Sequence, residues 1–417
     1  MSRFLDEASA LADRLAESAT WDGACATWLA RAIPPGEDPE GPEAHPELVG
    51  LDATVYRGTA GVALVLARVA ARTGERAHRR AARGAMEHAL RHARGPGSEG
   101  EPVGAEWRLS FLMGSLGVAW AGHEVGLLLD DAALSRRGLR LAAALVRDGA
   151  PGPEVDVMFG AGSGIPTLLD LGARGVRGAP ELAARLGDAA LAAGRSERGG
   201  LAWRDGLTGY SHGAAGVGSA LAALAARTDA ERHRAGARAA FAYERALFQP
   251  RDANWPDLKA KPRADGSWPC EANWCHGAPG IGLSRALALP RLKDPALLDE
   301  ARVALATTVA RLRDDAQEPG RDFTLCHGVA GRAACALRIG HAVGGDAGRS
   351  AAREVVGAAV EAFGARARQR WGEATDWPNP LPAGLHPSLF LGAAGIAHLF
   401  LELDDPRLPG VVAPPGA

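Results

Sequence analysis

The sequence predicts an all-α protein, an α/α toroid of seven helical-hairpin repeats. Three observations carry that prediction: a Gly-x-x-Gly phrase leading an apolar run recurs along the chain, the gaps between copies hold two helices each, and period-two alternation is rare. Full copies start at Gly58 (GTAGVALVLA), Gly114 (GSLGVAW), Gly213 (GAAGVGSALAAL), Gly277 (GAPGIGLSRAL), Gly328 (GVAGRAACAL) and Gly392 (GAAGIAHLFL). A degenerate copy starts at Gly160 (GAGSGIPTLL), with Ser163 where the second glycine is expected. Successive starts lie 46 to 64 residues apart.

Taken in order, residues 1–57 form an outer helix near 3–18 and a Pro/Glu/Gly-rich loop at 34–48. Phe4, Leu5, Ala8, Leu11, Ala12 and Leu15 share one face of that helix. This segment belongs to the barrel formed by residues 58–417, and the whole reads as one domain. The glycine-led helices are apolar all round, as inner helices should be. Residues 76–93 and 231–248 carry one charged face and read as outer helices. Glycine at the head of an inner helix allows a sharp turn and close approach of helix ends. An open solenoid is the alternative. Closure is favoured because neither end has a polar capping repeat and the last copy is as apolar as the middle ones.

The chain has 417 residues, 47% of them hydrophobic, with a formal net charge of −2. That balance argues against a nucleic-acid binder relying on a broad basic face. Asp6, Glu7 and Asp13 interrupt the N-terminal apolar residues, which argues against a secretion signal. No run approaches the roughly 18 apolar residues that span a bilayer, so no membrane insertion is expected. Five cysteines, an odd number in a long chain, do not make a disulfide framework. A soluble cytoplasmic protein is expected, with any cysteine chemistry being metal binding or catalysis.

Three consecutive repeats place histidine just before the first glycine: His212 (YSHGAAG), His276 (WCHGAPG) and His327 (LCHGVAG). In the last two, cysteine precedes it, as Cys275 and Cys326. Equivalent positions in a ring of repeats face the same place, the mouth of the barrel, so these side chains converge. Two Cys-His pairs offer up to four soft or borderline ligands, which suits Zn²⁺. Their separation of 51 residues (326 − 275) is not that of a zinc finger. Cys25, Cys270 and Cys335 lack this context and read as packing or surface residues, as most lone cysteines are. Four protein ligands would make a closed, inert site, and three would leave a position open. An adjacent Cys and His can bind together at a helix start, so either histidine remains a candidate.

At these residues the chain resembles the LanC superfamily, the lanthionine-forming cyclases of lanthipeptide biosynthesis. The likeness runs from GTAG at 58 to GAAG at 392 and the terminal DDPRLPGVV. YERALF at 243–248 and NWPDL at 254–258 resemble the cyclase domain of class II synthetases, here standing alone. The resemblance implies a zinc held by Cys275, Cys326 and His327. It implies a catalytic histidine at His212 and a catalytic aspartate at Asp156, in DVMFGAG. It assigns no ligation to His276, which then lines the site. An arginine important in class I cyclases has no counterpart before Cys275, where Glu271 stands. Read without the resemblance, Asp156 is an ordinary helix cap and His212 has a capping alternative.

The implied reaction adds a peptide cysteine thiol to dehydroalanine or dehydrobutyrine, forming a thioether ring. Its substrate would be a dehydrated precursor peptide, and a separate dehydratase would act first, since the chain has no room for one. Two thiolates and one neutral imidazole balance the charge of Zn²⁺ and suit thiol activation. Other readings are glutathione addition to dehydroamino acids, a non-catalytic partner in a biosynthetic complex, and a glycosidase, which would need paired carboxylates where only Asp156 is evident. The segment 249–274, with Trp255, Trp268 and the adjoining Trp274, reads either as a mouth-covering peptide contact or as an aromatic-anchored surface loop.

Overall fold

The computed structural model describes residues 2–32, 47–93, 107–317, 322–370 and 386–417, so most of the loop expected at 34–48 lies outside the described residues. Its helices are α1 (Arg3–Glu17), α2 (Thr59–Thr73), α3 (Arg76–His92), α4 (Ser115–Leu128), α5 (Ala132–Asp148), α6 (Ala161–Ala173), α7 (Ala179–Ala193), α8 (Ala214–Thr228), α9 (Glu231–Arg245), α10 (Ala278–Leu292), α11 (Pro295–Gln317), α12 (Val329–Val343), α13 (Ala347–Arg370) and α14 (Ala393–Asp404). The strands form three antiparallel pairs: β1 (Thr20–Asp22) with β2 (Cys25–Thr27), β3 (Leu29–Ala32) with β4 (Glu47–Gly50), and β5 (Arg195–Glu197) with β6 (Gly200–Ala202).

The even-numbered helices start at the glycine phrases and form the inner ring. Each packs on the next, and α14 packs on α2, so the toroid is closed. Their apolar composition follows from burial on every side: α2 is buried continuously from Thr59 to Ala70. The odd-numbered helices lie outside. In α3 the buried residues His78, Ala81, Ala82, Ala85, Met86 and Ala89 recur at the helical period, leaving the arginines to solvent. Side-chain caps hold several outer starts. Ser2 accepts the Leu5 N–H of α1, and Asp131 accepts the Ala133 and Leu134 N–H groups of α5. Helix α1 packs against α14 and so supplies the outer helix of the seventh hairpin. The two ends of the chain therefore complete one repeat together. No described helix is long and apolar enough to cross a membrane.

A belt of hydrogen bonds joins the loops that lead into the inner helices. The fifth residue before the second glycine is Tyr56, Leu112, Ser211, Cys275, Cys326 and Phe390 in six repeats. In the degenerate copy it is Val157, counted from Gly162. Gly162, not the residue at 163, fills the second-glycine role: its N–H bonds the Val155 carbonyl at 3.0 Å, as Gly117 bonds Ser110 and Gly331 bonds Thr324. That copy is one residue shorter than the sequence pattern suggests. Ser163 instead joins repeats, its Oγ accepting the Phe111 N–H at 3.0 Å.

Five of the seven junctions carry a direct main-chain bond at the belt position: Tyr56 N–H to Leu112 O, Val157 to Ser211, Ser211 to Cys275, Cys326 to Phe390 and Phe390 to Tyr56. Between the second and third repeats, Ser163 and the Ser110 hydroxyl, which donates to Met158 O, take over. Between Cys275 and Cys326, among the described residues, no main-chain bond forms at this position. There Arg332 of α12 spans the junction, donating from Nη1 to Ala272 O, Asn273 Oδ1 and His327 O, while its Nε donates to Asp315.

Candidate functional site

Cys275 leads into α10, and Cys326 and His327 lead into α12. The second glycine of each phrase lets the loop fold back over its own helix: a Cβ on Gly280 would overlap the Trp274 carbonyl, and one on Gly331 the Leu325 carbonyl. Asn254, in NWPDL, anchors the first of these loops. Its Oδ1 accepts the Ala278 N–H at 2.7 Å and its Nδ2 donates to Glu271 O at 2.9 Å.

These folds bring Cys275, Cys326 and His327 together, with their ligand atoms within 4.8 Å of one another. Among the described residues this is the one Cys/His/Asp/Glu group of that kind. Cys326 Sγ and His327 Nε2 are 3.4 Å apart, close to the roughly 3.5 Å edge of a tetrahedral zinc site built from usual Zn–S and Zn–N bonds. Both cysteines are buried and His327 is exposed, so the cluster opens toward solvent on the imidazole side. A hydrogen bond with Cys326, reinforced by His327, draws the Cys275 thiol well below its ordinary range. Burial pushes Cys326 well above it. The donor set, spacing and charge fit zinc.

Beside the cluster, Ser211 and Tyr210 donate main-chain N–H groups to Cys275 O, which fixes the His212 loop against the Cys275 loop. His212 Nδ1 lies 2.7 Å from Asp156 Oδ2. An ionised carboxylate only accepts, so Nδ1 carries the proton and Nε2 is left available. Asp156 is 2% exposed; its Oδ1 accepts the Phe159 N–H at 2.7 Å. It caps that turn, whereas Gly160 holds the N-cap position of α6. The Phe159 ring stacks on His212 with centroids 5.7 Å apart. The His276 ring lies 6.3 Å from that of His212, and burial lowers its pKa.

Two further neighbours of these groups are not apparent from the sequence. Arg204 donates from Nη1 to Asp156 Oδ2 at 3.2 Å and to Glu154 Oε2 at 3.3 Å. It is reached through a strained turn after β6, with φ +35° at Arg204 and +57° at Asp205, values L-residues seldom adopt. Tyr56 donates its hydroxyl to Cys326 Sγ at 2.9 Å. Burial and the nearby thiols hold its pKa well above the ordinary range, so it stays a donor.

YERALF also acquires a role. Tyr243 donates to Gly206 O, and buried Glu244 accepts the Gly209 and Ala215 N–H groups that bracket His212. Glu244 is itself paired with Arg285 at 2.8 Å, both fully buried.

The remaining cysteines stand apart. Cys25 and Cys335 are buried, and Cys270, pushed up to about 11 by burial, accepts from Gln249 at 2.9 Å. Trp255 and Trp274 are each 1% exposed and Trp268 is half-buried. The two buried indoles anchor the 249–274 segment.

A closed α/α toroid with a Cys-Cys-His cluster beside a histidine–aspartate pair defines the class. The model of the lanthionine synthetase C-like proteins matches residues 50–412, and the chain belongs to that family. Among solved structures it is similar to nisin cyclase, with a TM-score of 0.64 and 16% identity over 85% of this chain and 89% of that one. It also aligns, at a TM-score of 0.47 and 10% identity, with a family 76 glycoside hydrolase from a bovine Bacteroides thetaiotaomicron strain, over 97% of this chain and 78% of that one.

Proposed function

We propose that this protein is a zinc-dependent cyclase that adds peptide cysteine thiols to dehydroalanine or dehydrobutyrine residues, closing thioether rings in a dehydrated precursor peptide. The observation that carries the reading is the Cys275–Cys326–His327 cluster set beside the His212–Asp156 pair. Cys275, Cys326 and His327 would hold the zinc, whose Lewis acidity lowers the pKa of a thiol delivered to it.

The rest of the chemistry falls to the chain's own groups. His212 Nε2 takes the proton released from the substrate thiol, and Asp156, hydrogen-bonded to Nδ1, stabilises the resulting imidazolium. The sulfur bonds to the β-carbon as the C=C π pair moves toward the carbonyl, forming an enolate. The imidazolium returns a proton to the α-carbon. The addition expels nothing and needs no oxidant. Arg204 keeps Asp156 paired and in place. Asp156 is engaged by His212, Arg204 and the Phe159 N–H together, which disfavours its use as one of two free carboxylates in glycoside hydrolysis.

The test is incubation with a dehydrated, cysteine-containing peptide, with and without glutathione, followed by thiol alkylation and mass spectrometry. Cyclisation predicts peptide thiols protected from alkylation with no change in mass. A glutathione adduct instead would move the assignment to an intermolecular transferase. Full alkylation without adduct would overturn both enzyme readings. Metal analysis accompanies it: zinc bound by the native chain and lost in Cys326→Ala is expected, and unchanged content in that variant would remove the ligand assignment.

A further inference from the structure

The belt position that supplies Cys275 and Cys326 in the fifth and sixth repeats supplies Tyr56 in the first. Only Phe390, from the seventh repeat, stands between Tyr56 and Cys326 in the ring. The three residues are joined in order through the main chain: Cys326 N–H donates to Phe390 O at 3.1 Å, and Phe390 N–H donates to Tyr56 O at 3.0 Å. Tyr56 is gripped on its other side as well, its N–H donating to Leu112 O at 3.0 Å. Its ring stacks on Phe390, with centroids 4.8 Å apart and planes 18° from parallel. Both the backbone and the ring of Tyr56 are therefore immobilised, and the phenol is aimed past Phe390 at Cys326 Sγ, 2.9 Å away. Tyr56 is 8% exposed, so water does not readily replace this bond.

A tyrosine with that placement has a specific consequence for a thiolate. A thiolate ligand keeps lone pairs that do not face the metal. A donor fixed on one of them sets the direction of the Cβ–Sγ bond and draws electron density from sulfur. Hydrogen-bonding partners of this kind typically change metal affinity 10- to 100-fold when removed. Cys275 has no equivalent phenol among its described hydrogen bonds, so the two sulfurs stand in different hydrogen-bond environments. We propose that Tyr56 is a positioning residue of the metal centre, orienting Cys326 and tempering its sulfur through the phenol–thiolate hydrogen bond. The inference rests on the zinc reading above.

Tyr56→Phe removes one oxygen and leaves the ring stack and the main-chain bonds. Zinc affinity is measured by competition with a chromophoric chelator, and Co²⁺ replaces zinc to report on sulfur through its thiolate-to-metal charge-transfer band. Zinc affinity is expected to fall about 10- to 100-fold. The Co²⁺ band should move to longer wavelength, because sulfur no longer shares density with the phenol. The melting temperature of the metal-free variant should match that of the metal-free native chain. If the native chain binds neither metal, the zinc reading itself fails. If the native chain binds both, and the variant shows the same affinity and the same band, the role of Tyr56 is overturned. A metal-free variant that melts at a lower temperature, with affinity and band unchanged, also overturns it, in favour of a packing role.

Discussion

Replacing Asp156 with asparagine tests the proton-transfer pair most directly. Asp156 Oδ1 is committed to the Phe159 N–H and Oδ2 to His212 Nδ1 and Arg204 Nη1. An asparagine that keeps its carbonyl on Phe159 must turn its amide NH₂ toward His212 and Arg204. Nδ1–H then faces a donor. His212 relieves the clash by moving its proton to Nε2, which leaves Nδ1 to accept from the amide. The nitrogen that must take up the thiol proton is now already protonated. The loss also includes a charge-assisted hydrogen bond, worth about 1.5–3 kcal/mol. At about 1.4 kcal/mol per tenfold in rate, that alone lowers kcat roughly 10- to 150-fold. Cys275, Cys326 and His327 are untouched, so bound zinc should not change. The assay is the initial rate of alkylation-resistant thiol formation on a dehydrated peptide, with metal content measured on the same preparation. Native turnover by a fully zinc-loaded Asp156→Asn variant would refute the assigned roles of both Asp156 and His212.

Further outcomes follow from the packing around the site. Glu244→Ala strands Arg285 in the interior with Glu300 as its remaining carboxylate and unpairs the Gly209 and Ala215 N–H groups; a loss of about 3–5 kcal/mol is expected in denaturant unfolding, with activity reduced through the misplaced His212 loop. Acid should also destabilise the toroid through His398, which lies fully buried between Arg68 and Glu402. Burial, with the Arg68 charge, holds its pKa down at about 4 from an ordinary 6.5. The unfolded chain takes up the proton first, so the stability from neutral His398 is full above about pH 6.5 and is lost as pH falls toward 4, by an amount on the order of 3 kcal/mol. Melting temperatures across that range should show the decline, and His398→Gln should flatten it; an unchanged slope would exclude His398 as its source. Gly331→Ala should dislodge the Leu325–Cys326 turn and lower zinc content, read by metal analysis, because the added methyl meets backbone that cannot move aside.

Much of the architecture was legible because the repeat states one rule many times. Gly-x-x-Gly marks an inner helix start, and the alternation of wholly apolar with one-sided helices assigns the two layers. Cys275 and Cys326 stood out because matching positions in a ring must converge. The pattern misled at the degenerate copy, where a glycine-to-glycine spacing of two residues replaces three and Gly162, not position 163, approaches the preceding turn. Tyr56 and Arg204 were hidden for different reasons. Tyr56 reaches a sulfur two repeats away around the ring, a contact that exists only once the ends of the chain meet. Arg204 depends on a turn with positive φ at non-glycine residues, which no local preference announces. The tryptophans of 249–274 illustrate a third limit, since composition does not separate an indole that anchors a loop from one that awaits a ligand.

The uneven belt bears on how such a protein can change. A junction made by main-chain groups is indifferent to the side chain at its position, which is why leucine, valine, serine and phenylalanine all occur there. Sequence drift at those points leaves the circumference intact. Between Cys275 and Cys326, among the described residues, the belt is bridged by side chains, with the two sulfurs close together and Arg332 spanning the junction. Mutation there weakens the hoop and the chemistry together. Most of the mouth's arc is accordingly tolerant of side-chain change, while one sector depends on the same residues that form the cluster.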